Sequence, residues 1–376
     1  MRKLIPVLAV IPLTVLALIP PWTIQLDCTI NSLLWLFAVF TSGFLAFMYL
    51  YQNVSVWLKL LVLWCFASCF ISNAPYMSFT LYWTVITCAY YYALCRKIED
   101  WSIFHKVIQS VFFFIVLLII MQLAGKDTLL NFNHKAPIVL GTIGNPMILG
   151  SYICVLAPFL IKNKLNWIAL VLIAFISGSS GTVLAIFAGL SVLIWHTARK
   201  LRVFIVLMGL IAVIFAGMTR DIAVFTTYGR FPIWKRTAEL IVKRPLGYGV
   251  ATYKLLFPVM SGDLDAVNCT STRWEYDNTK GNGLAWRRTH NSFLQLPFEI
   301  GIPGLILCIG WIVSVMRKVN DPVRLAGITI LATNMLTAFP ERMIQSVLII
   351  LAFLAYYECG ERQQSVYNGG IWIEGD

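Results

Sequence analysis

Long apolar runs without charged residues dominate this sequence, and they decide what kind of fold the chain can adopt. A helix that crosses a lipid bilayer needs about 20 mostly apolar residues, and somewhat fewer when flanking side chains reach the interface. Runs of this kind recur between breaks marked by charged residues, proline or glycine. We therefore predict an all-α polytopic membrane helix bundle with about twelve transmembrane helices, at 4–20, 32–50, 57–72, 78–95, 103–123, 147–161, 166–178, 181–196, 201–218, 298–316, 323–339 and 343–358.

The overall composition points the same way. The chain is 59% hydrophobic and 12% charged, whereas soluble domains carry about 25% charged residues. These values exclude a soluble enzyme, a disordered protein and a nucleic-acid-binding module, although the net charge is +12. Ion-coupled transporters place carboxylates inside their spans, and no Asp or Glu lies in mid-span before residue 218. The sequence therefore argues against an ion-coupled transporter.

Lysine and arginine are distributed unevenly between the connections, and this distribution sets the predicted orientation. With the N-terminus inside the cell, fifteen Lys and Arg residues fall on the cytoplasmic side, and the short outer connections hold only Lys126, Lys135 and Arg342. Positive residues accumulate on the cytoplasmic side of membrane proteins. The sequence therefore predicts that both termini are cytoplasmic and that the number of spans is even.

A long segment on the outer side, about residues 218–293, carries the remaining eleven basic residues. Its part 230–244 predicts a basic amphipathic helix along the outer membrane surface, with an apolar face formed by Phe231, Trp234, Ala238 and Ile241. Residues 261–289 are polar and predict a flexible flap. The excess positive charge suits an anionic ligand such as a phosphate, and it equally suits a solvated loop at anionic lipid headgroups.

His290 is the candidate general base of this segment, because an ordinary histidine pKa of about 6.5 lets the imidazole take a proton at neutral pH. It stands just after Arg287 and Arg288 and just before a span. His134, in the outer connection 124–146, is the competing candidate. For either residue the alternative is a hydrogen-bonded role at the surface.

Two pairs of residues in the outer connections are weaker signals. Asp263-Leu264-Asp265 could chelate Mg or Mn, but a pattern this short arises readily by chance, and we assign no metal. Cys28 and Cys269 are the two cysteines predicted on the oxidising side. They either form a bridge or remain unpaired thiols.

Three stretches resemble motifs of the O-antigen ligase/O-antigen polymerase family of bacterial membrane proteins. They are Gly141-Thr142-Ile143-Gly144-Asn145-Pro146, then Gly229-Arg230 with Trp234 and Arg244-Pro245-Leu246-Gly247-Tyr248-Gly249, and then His290-Asn291-Ser292-Phe293 with Glu299, Gly301 and Gly304. The long outer segment between the ninth and tenth spans is also similar to the family. The resemblance implies a GT-C-like glycosyltransferase of the bacterial inner membrane.

The resemblance further implies a metal-independent glycosyltransferase that works at the periplasmic face without a cofactor. The donor would be a glycan on undecaprenyl pyrophosphate. The acceptor hydroxyl would belong to the lipid A core in a ligase, or to another lipid-linked repeat unit in a polymerase. The family's catalytic arginine and histidine match Arg230 and His290, and the candidates for binding pyrophosphate or glycan are Arg236, Arg287, Arg288 and Asn291.

One position departs from the family pattern. A further arginine, expected in a Ser-Arg-Gly pattern where two spans meet on the outer side, should fall in 177–181, and the arginine position reads Ser180. One expected pyrophosphate-binding cation is therefore missing. Arg287 or Arg288 would have to substitute for it, or the activity is altered or absent.

These expectations divide the chain into 1–217 with transmembrane helices 1–9, 218–291 as a periplasmic loop with amphipathic helix and flap, and 292–376 with transmembrane helices 10–12 and a cytoplasmic tail. The alternative to a transferase is a non-catalytic polysaccharide exporter or flippase, which would need a polar path through the bundle. The Ser, Thr, Asn, Tyr and Gly residues of the spans do not decide between the two. Convergence of Arg230 and His290 on one outward-facing cavity would favour the transferase.

The orientation can be tested with reporter fusions. A reporter fused after Leu201 and another fused before Ser292 should lie on opposite sides of the membrane, because the predicted span 201–218 lies between the two fusion points. Alkaline phosphatase and green fluorescence activities measure this. If both fusions report the cytoplasm, the outer segment is not outside and the proposed site chemistry is lost with it.

Overall fold

The computed structural model of the protein describes residues 54–124, 146–161, 163–197, 203, 209, 230–253, 256–257, 267–270, 273–276, 289–317, 321–338 and 344–368. The helices are α1 (Val56–Phe70), α2 (Pro75–Cys95), α3 (Ser102–Leu123), α4 (Pro146–Leu160), α5 (Lys164–Ile176), α6 (Ser180–Thr197), α7 (Arg230–Lys243), α8 (Ser292–Met316), α9 (Pro322–Thr337) and α10 (Ile344–Asn368). Two strands, β1 (Val267–Thr270) and β2 (Arg273–Tyr276), lie between α7 and α8.

Nine of the predicted spans fall on described residues, and each coincides with one helix of the structure: α1 to α6 and α8 to α10. Among the described residues, α3, α6 and α8 are long and apolar enough to cross a membrane, and several shorter apolar helices accompany them. The predicted spans 4–20 and 32–50 lie outside the described residues, as does most of 201–218. The helical membrane fold is therefore supported, and the count of about twelve spans stays a prediction.

The region predicted as a flap contains one short β-hairpin, and the fold of the described residues is otherwise built from helices. β1 and β2 pair in antiparallel fashion, with Val267 opposite Tyr276 and Thr270 opposite Arg273. β-Branched and aromatic residues favour strands, and the short connection between the strands suits a hairpin. The polar composition of the flanking sequence masked this signal.

The centre of the bundle is α4, whose residues 149–160 are all buried. A helix that is apolar all round is expected at the middle of a bundle. Beside it, α6 and α9 pack closely in antiparallel fashion. An added Cβ at Gly189 would lie 2.3 Å from a side-chain carbon of Ile330, so glycine permits this approach.

Helix ends that the sequence places on the same side of the membrane do contact each other. At the end predicted to be cytoplasmic, Arg96 of α2 and Glu358 of α10 form an ion pair of 2.9 Å. At the opposite end, Gly181 of α6 lies against the Thr337 side chain of α9. The alternating directions of the helices therefore agree with the predicted spans, while the absolute orientation depends on the distribution of Lys and Arg.

α8 is broken at Gly301, which has a φ of 73° and a ψ of 173°. In an uninterrupted helix the N–H of Ile302 would bond to the carbonyl four residues earlier, but here it donates to the carbonyl of Pro245 at 2.8 Å. Pro303 has no N–H, so the carbonyl of Glu299 would lack its helical donor in any case. The break therefore leaves carbonyls of α8 in need of partners.

The chain after α7 supplies those partners. The N–H of Tyr248 donates to the carbonyl of Phe298 at 2.9 Å, and the N–H of Gly249 donates to the carbonyl of Glu299 at 2.8 Å. Unpaired backbone groups are very costly in an apolar environment, so this exchange fixes residues 245–249 against α8. It thereby sets the position of α7 relative to α8.

Replacing Gly301 by alanine should lower stability strongly. The left-handed φ costs a residue with a Cβ about 1–2 kcal/mol, and the new Cβ would lie 2.4 Å from the carbonyl carbon of Leu246; overpacking of this kind typically costs about 1–3 kcal/mol more. Thermal unfolding of the detergent-solubilised protein measures the loss. Gly209→Ala is the control, since its added Cβ meets nothing within 4 Å in the described part of the chain. Equal unfolding temperatures for the two variants would contradict the role of the break.

Candidate functional site

The amphipathic helix predicted at 230–244 is α7, and it packs on a small core of its own. The protein-facing side chains of α7 recur every three or four residues, as expected for one helix face. This core is a hydrophobic cluster that α7 forms with α8 and with the chain after α7. Its members are Ile233, Leu240 and Ile241 of α7, Phe298 of α8, and Tyr248, Tyr253 and Phe257. The helix that begins at Arg230 is therefore held by residues of the break in α8 and of the chain that crosses it.

The apolar face predicted for α7 is only partly the face that packs on protein. Ile241 is buried and Trp234 half-buried, but Phe231 is 59% exposed and Ala238 is also exposed. The buried face is centred on Thr237, which has no exposed surface. The sequence contains two apolar arcs, and spacing alone does not tell which arc meets protein. The exposed arc suits a helix that lies along a membrane surface.

His290 lies in a tight turn just before α8, and a hydrogen bond from α7 holds this turn. Thr289 is fully buried, and its Oγ1 accepts a hydrogen bond from the Asn291 N–H at 3.0 Å and donates to the Asn291 carbonyl at 2.6 Å. The carbonyl of Thr289 accepts a bond from Nε1 of Trp234 at 2.8 Å. Asn291 caps α8, because its Oδ1 accepts from two backbone N–H groups of the first turn at 3.0 and 3.3 Å.

The backbone of His290 itself is strained. Its φ is 54°, a left-handed conformation that is uncommon outside glycine, although histidine is among the residues that adopt it more often. Such strain persists only where the surrounding structure enforces it, and it clusters at functional sites. The hydrogen bonds of Thr289 and Asn291 enforce it here and leave the imidazole half-buried.

Arg230 and the His290 turn meet at the C-terminal end of α9. Nη1 of Arg230 donates to the carbonyl of Thr337 at 2.9 Å. Oγ of Ser292, two residues after the histidine, donates to the carbonyl of Ala338 at 3.3 Å. Carbonyls at a helix C-terminus are the negative end of the helix dipole, so they suit both donors. The structure thus brings the first residues of α7 and α8 to one place.

The start of α6 reaches the same place. An added Cβ at Gly181 would lie 2.4 Å from Oγ1 of Thr337, the residue whose carbonyl holds Arg230. Ser180, which stands where the family resemblance expects an arginine, is the neighbouring residue and is half-buried. Oγ of Ser179 accepts a bond from the Thr182 N–H at 3.4 Å, which caps the helix start. Position 180 is therefore part of the same cluster.

This arrangement can stabilise negative charge and accept a proton. Arg230 is 9% exposed as a residue, and the planar fork of its guanidinium suits two phosphate oxygens at once. The starts of α6 and α8 carry the positive ends of their helix dipoles, which favour anions. His290 adds an imidazole next to the cap of α8. The combination suits a reaction in which a phosphate group leaves and a hydroxyl loses its proton.

The structure does not place the remaining predicted site residues in the cluster formed by the starts of α6, α7 and α8. Arg236 forms an ion pair of 3.1 Å with Glu239, with side chains 30% and 45% exposed, and exposed pairs of this kind contribute little to stability. Among the described residues, no group of three or more His, Cys, Asp or Glu side chains could hold a metal ion. Several predicted positions lie outside the described residues: Cys28, His134, Asp263, Asp265, Arg287 and Arg288. The backbone of Cys269 lies in β1.

Sequence reasoning missed the residues that hold the site together. The sequence places Trp234 on an apolar helix face and in a family motif, yet neither feature indicates that its indole N–H donates to Thr289 in the turn of His290. A buried indole seeks one acceptor, which is a signal, but the sequence does not say which acceptor. Thr337 and Ala338 act through their backbone carbonyls, so their side chains carry no signal at all.

Comparison with known proteins supports the resemblance. Residues 165–309 match the profile of a family described as O-antigen ligase. The match spans α5 to most of α8 and includes Ser180, Arg230 and His290. No curated protein matches the chain. The resemblance predicted from the motifs is thus confirmed for this part of the chain.

The turn that holds His290 can be tested with Thr289→Val, which keeps the shape of the side chain and removes both bonds of Oγ1. The Asn291 N–H loses its partner in a buried place, so we expect a loss of about 1–3 kcal/mol. Thermal unfolding measures the loss, and amide exchange at 289–291 localises it. Thr197→Val is the control, since Oγ1 of Thr197 also donates to a carbonyl, at 2.7 Å, but in an exposed place. Similar losses of stability for both variants would show that the buried hydrogen bonds of Thr289 do not stabilise the turn of His290 more than an exposed bond would.

Proposed function

We propose that this chain, whose residues 165–309 match the O-antigen ligase family, transfers a glycan from undecaprenyl pyrophosphate to an acceptor hydroxyl. In this proposal the protein lies in the bacterial inner membrane, and the transfer takes place at the periplasmic face. The acceptor is the lipid A core, as in a ligase. The family supports a membrane-bound transferase of lipid-linked glycans, and the donor, acceptor and mechanism are our proposal.

One observation carries the proposal. Arg230 begins α7, and Ser292, two residues after His290, begins α8; the two side chains bond to the carbonyls of Thr337 and Ala338 at the end of α9. A transferase needs a cation for the leaving group and a base for the nucleophile at one place. An exporter or flippase has no such requirement, so the convergence supports the transferase.

The proposed step is a single displacement. The acceptor oxygen attacks the anomeric carbon as its proton passes to the imidazole of His290. The bond between the anomeric carbon and the pyrophosphate oxygen breaks, and the oxygen keeps the electron pair. Arg230 stabilises the negative charge that develops on the leaving pyrophosphate. Because the nucleophile enters opposite the leaving group, the anomeric configuration inverts.

Ligase and polymerase share this machinery and differ in the acceptor. The glycans of a deletion strain separate them. Loss of a ligase leaves lipid-linked polymer unattached to the core, whereas loss of a polymerase leaves single repeat units on the core. In either case Ser180 supplies no charge, and in our proposal Arg287 or Arg288 of the outer segment completes the binding of the pyrophosphate, with Arg236 and Asn291 contacting the glycan.

The catalytic pair is tested by substitution in the full-length protein. Arg230→Ala and His290→Ala should each abolish transfer or reduce it by roughly 10²–10⁴-fold, the usual range for a general base, while the protein stays inserted at near-normal abundance. Arg230→Lys keeps the charge but loses the fork, so its activity should also fall substantially. The assay follows the glycan from an undecaprenyl pyrophosphate donor to purified lipid A core on a gel.

Two controls accompany this assay. Lys243→Gln removes a basic residue that is exposed at the far end of α7, and it should leave transfer unchanged. Added EDTA should also have no effect, because the proposed step uses no metal. Full activity of His290→Ala would remove the proposed base and make His134 the next candidate. Inhibition by EDTA that Mg or Mn reverses would instead favour Asp263 and Asp265.

A further inference from the structure

Glu299 is a carboxylate buried in the break of α8, with 2% of its surface exposed. Its Oε2 accepts a hydrogen bond from the Ala251 N–H at 2.9 Å. Its Oε1 accepts bonds from Nε2 of Gln295 at 3.1 Å and from the Tyr253 N–H at 3.4 Å. A buried charge is tolerated only when such bonds compensate for its lost hydration. The side chain therefore binds the turn 249–253 to α8.

The turn that Glu299 holds is itself strained. Ala251 has a φ of 56°, a left-handed conformation that is unfavourable for a residue with a Cβ. The N–H of this same residue makes the 2.9 Å bond to the carboxylate. Hydrogen bonds to a charged acceptor are roughly twice as strong as neutral ones. The carboxylate is therefore one of the groups that keep the strained turn in place, beside the hydroxyl of Ser78, which donates to the carbonyl of Val250 at 3.4 Å.

The 249–253 turn is also hydrogen-bonded to α7 through Tyr253. The hydroxyl of Tyr253 lies 3.0 Å from Oγ1 of Thr237, in the middle of the buried face of α7. Burial raises the pKa of the Tyr253 hydroxyl, so the hydroxyl keeps its proton and can donate. Thr237 Oγ1 donates to the carbonyl of Ile233 at 2.7 Å, one turn nearer to Arg230. A continuous chain of contacts thus runs from Glu299 to the helix that begins with Arg230.

We infer that Glu299 is a positioning residue for the transfer: its carboxylate holds the 249–253 turn, and through Tyr253 and Thr237 it fixes the place of Arg230. This inference rests on the proposed function. Glu299 does not touch the reacting atoms. A shift of about 1 Å in a catalytic group can cost roughly 10²-fold in rate, which makes the position of α7 important for the chemistry.

Glu299→Gln is the informative substitution, because it keeps the size of the side chain but turns one acceptor oxygen into a donor. At least one of the N–H groups of Ala251 and Tyr253 then loses its acceptor. Amide exchange in the 249–253 peptide of the full-length protein should become roughly 10-fold to 100-fold faster, as expected for the loss of a hydrogen bond to a charged group. Unchanged exchange in this peptide would overturn the inference, whatever the activity.

A double-mutant cycle separates positioning from a general loss of stability. Glu299→Gln should lower kcat roughly 10-fold to 100-fold when Arg230 is present. In an Arg230→Lys background, where the fork is already lost, the same change should lower kcat no more than a few-fold. A merely structural role would lower the amount of active protein by the same factor in both backgrounds, and equal factors would therefore refute the inference.

Glu358→Gln is the matched control. Glu358 is another buried glutamate, 8% exposed, and it pairs with Arg96 at the opposite end of the bundle. Its substitution should lower the unfolding temperature, leave exchange in the 249–253 peptide unchanged, and show equal rate factors in both Arg230 backgrounds. If the wild-type protein transfers no glycan, the proposed function fails. The exchange result then still decides whether Glu299 holds the turn.

Discussion

The exchange of backbone hydrogen bonds between residues 245–249 and the break of α8 is the contact on which the end of the structure that carries Arg230 and His290 depends. A continuous helix would satisfy its own carbonyls and offer none to the chain that follows α7. Because Gly301 and Pro303 interrupt the helical hydrogen bonds of α8, its carbonyls accept hydrogen bonds from the N–H groups of Tyr248 and Gly249 instead. In an apolar environment each such bond is hard to replace. The break therefore works as a joint that fixes α7 against α8.

The polar residues near this joint are held mainly through backbone groups. Arg230 donates to the end of α9, Glu299 accepts from the N–H groups of a turn, and Asn291 accepts from the first turn of α8. Backbone groups have fixed positions, so side chains bonded to them lose little precision when neighbouring side chains move. A site that must align a cation with a base gains from this, since positioned groups need no reorganisation during the reaction.

The sequence predicted the parts of this structure that repeat a simple pattern. Apolar runs located helices such as α3 and α6 within a few residues, and short motifs pointed to Arg230 and His290. The rest depends on contacts between distant segments. A Gly–x–Pro sequence at 301–303 is equally compatible with a mild kink, and only the approach of residues 245–249 turns it into a joint. Which apolar arc of α7 meets protein likewise depends on Tyr253 and Phe298, which no local pattern reveals.

Position 180 shows how the same geometry bears on the proposed chemistry. Gly181 lies against Thr337, whose carbonyl holds Arg230, so an arginine at position 180 would place a second cation near the first. Two like charges in a poorly solvated place repel each other, and a doubly charged leaving group would offset that repulsion. With Ser180 the repulsion is absent, but so is the stabilisation that a second cation would give the leaving group. Under the proposed mechanism the position of Arg230 then matters more, which is why a carboxylate as distant as Glu299 can influence the reaction.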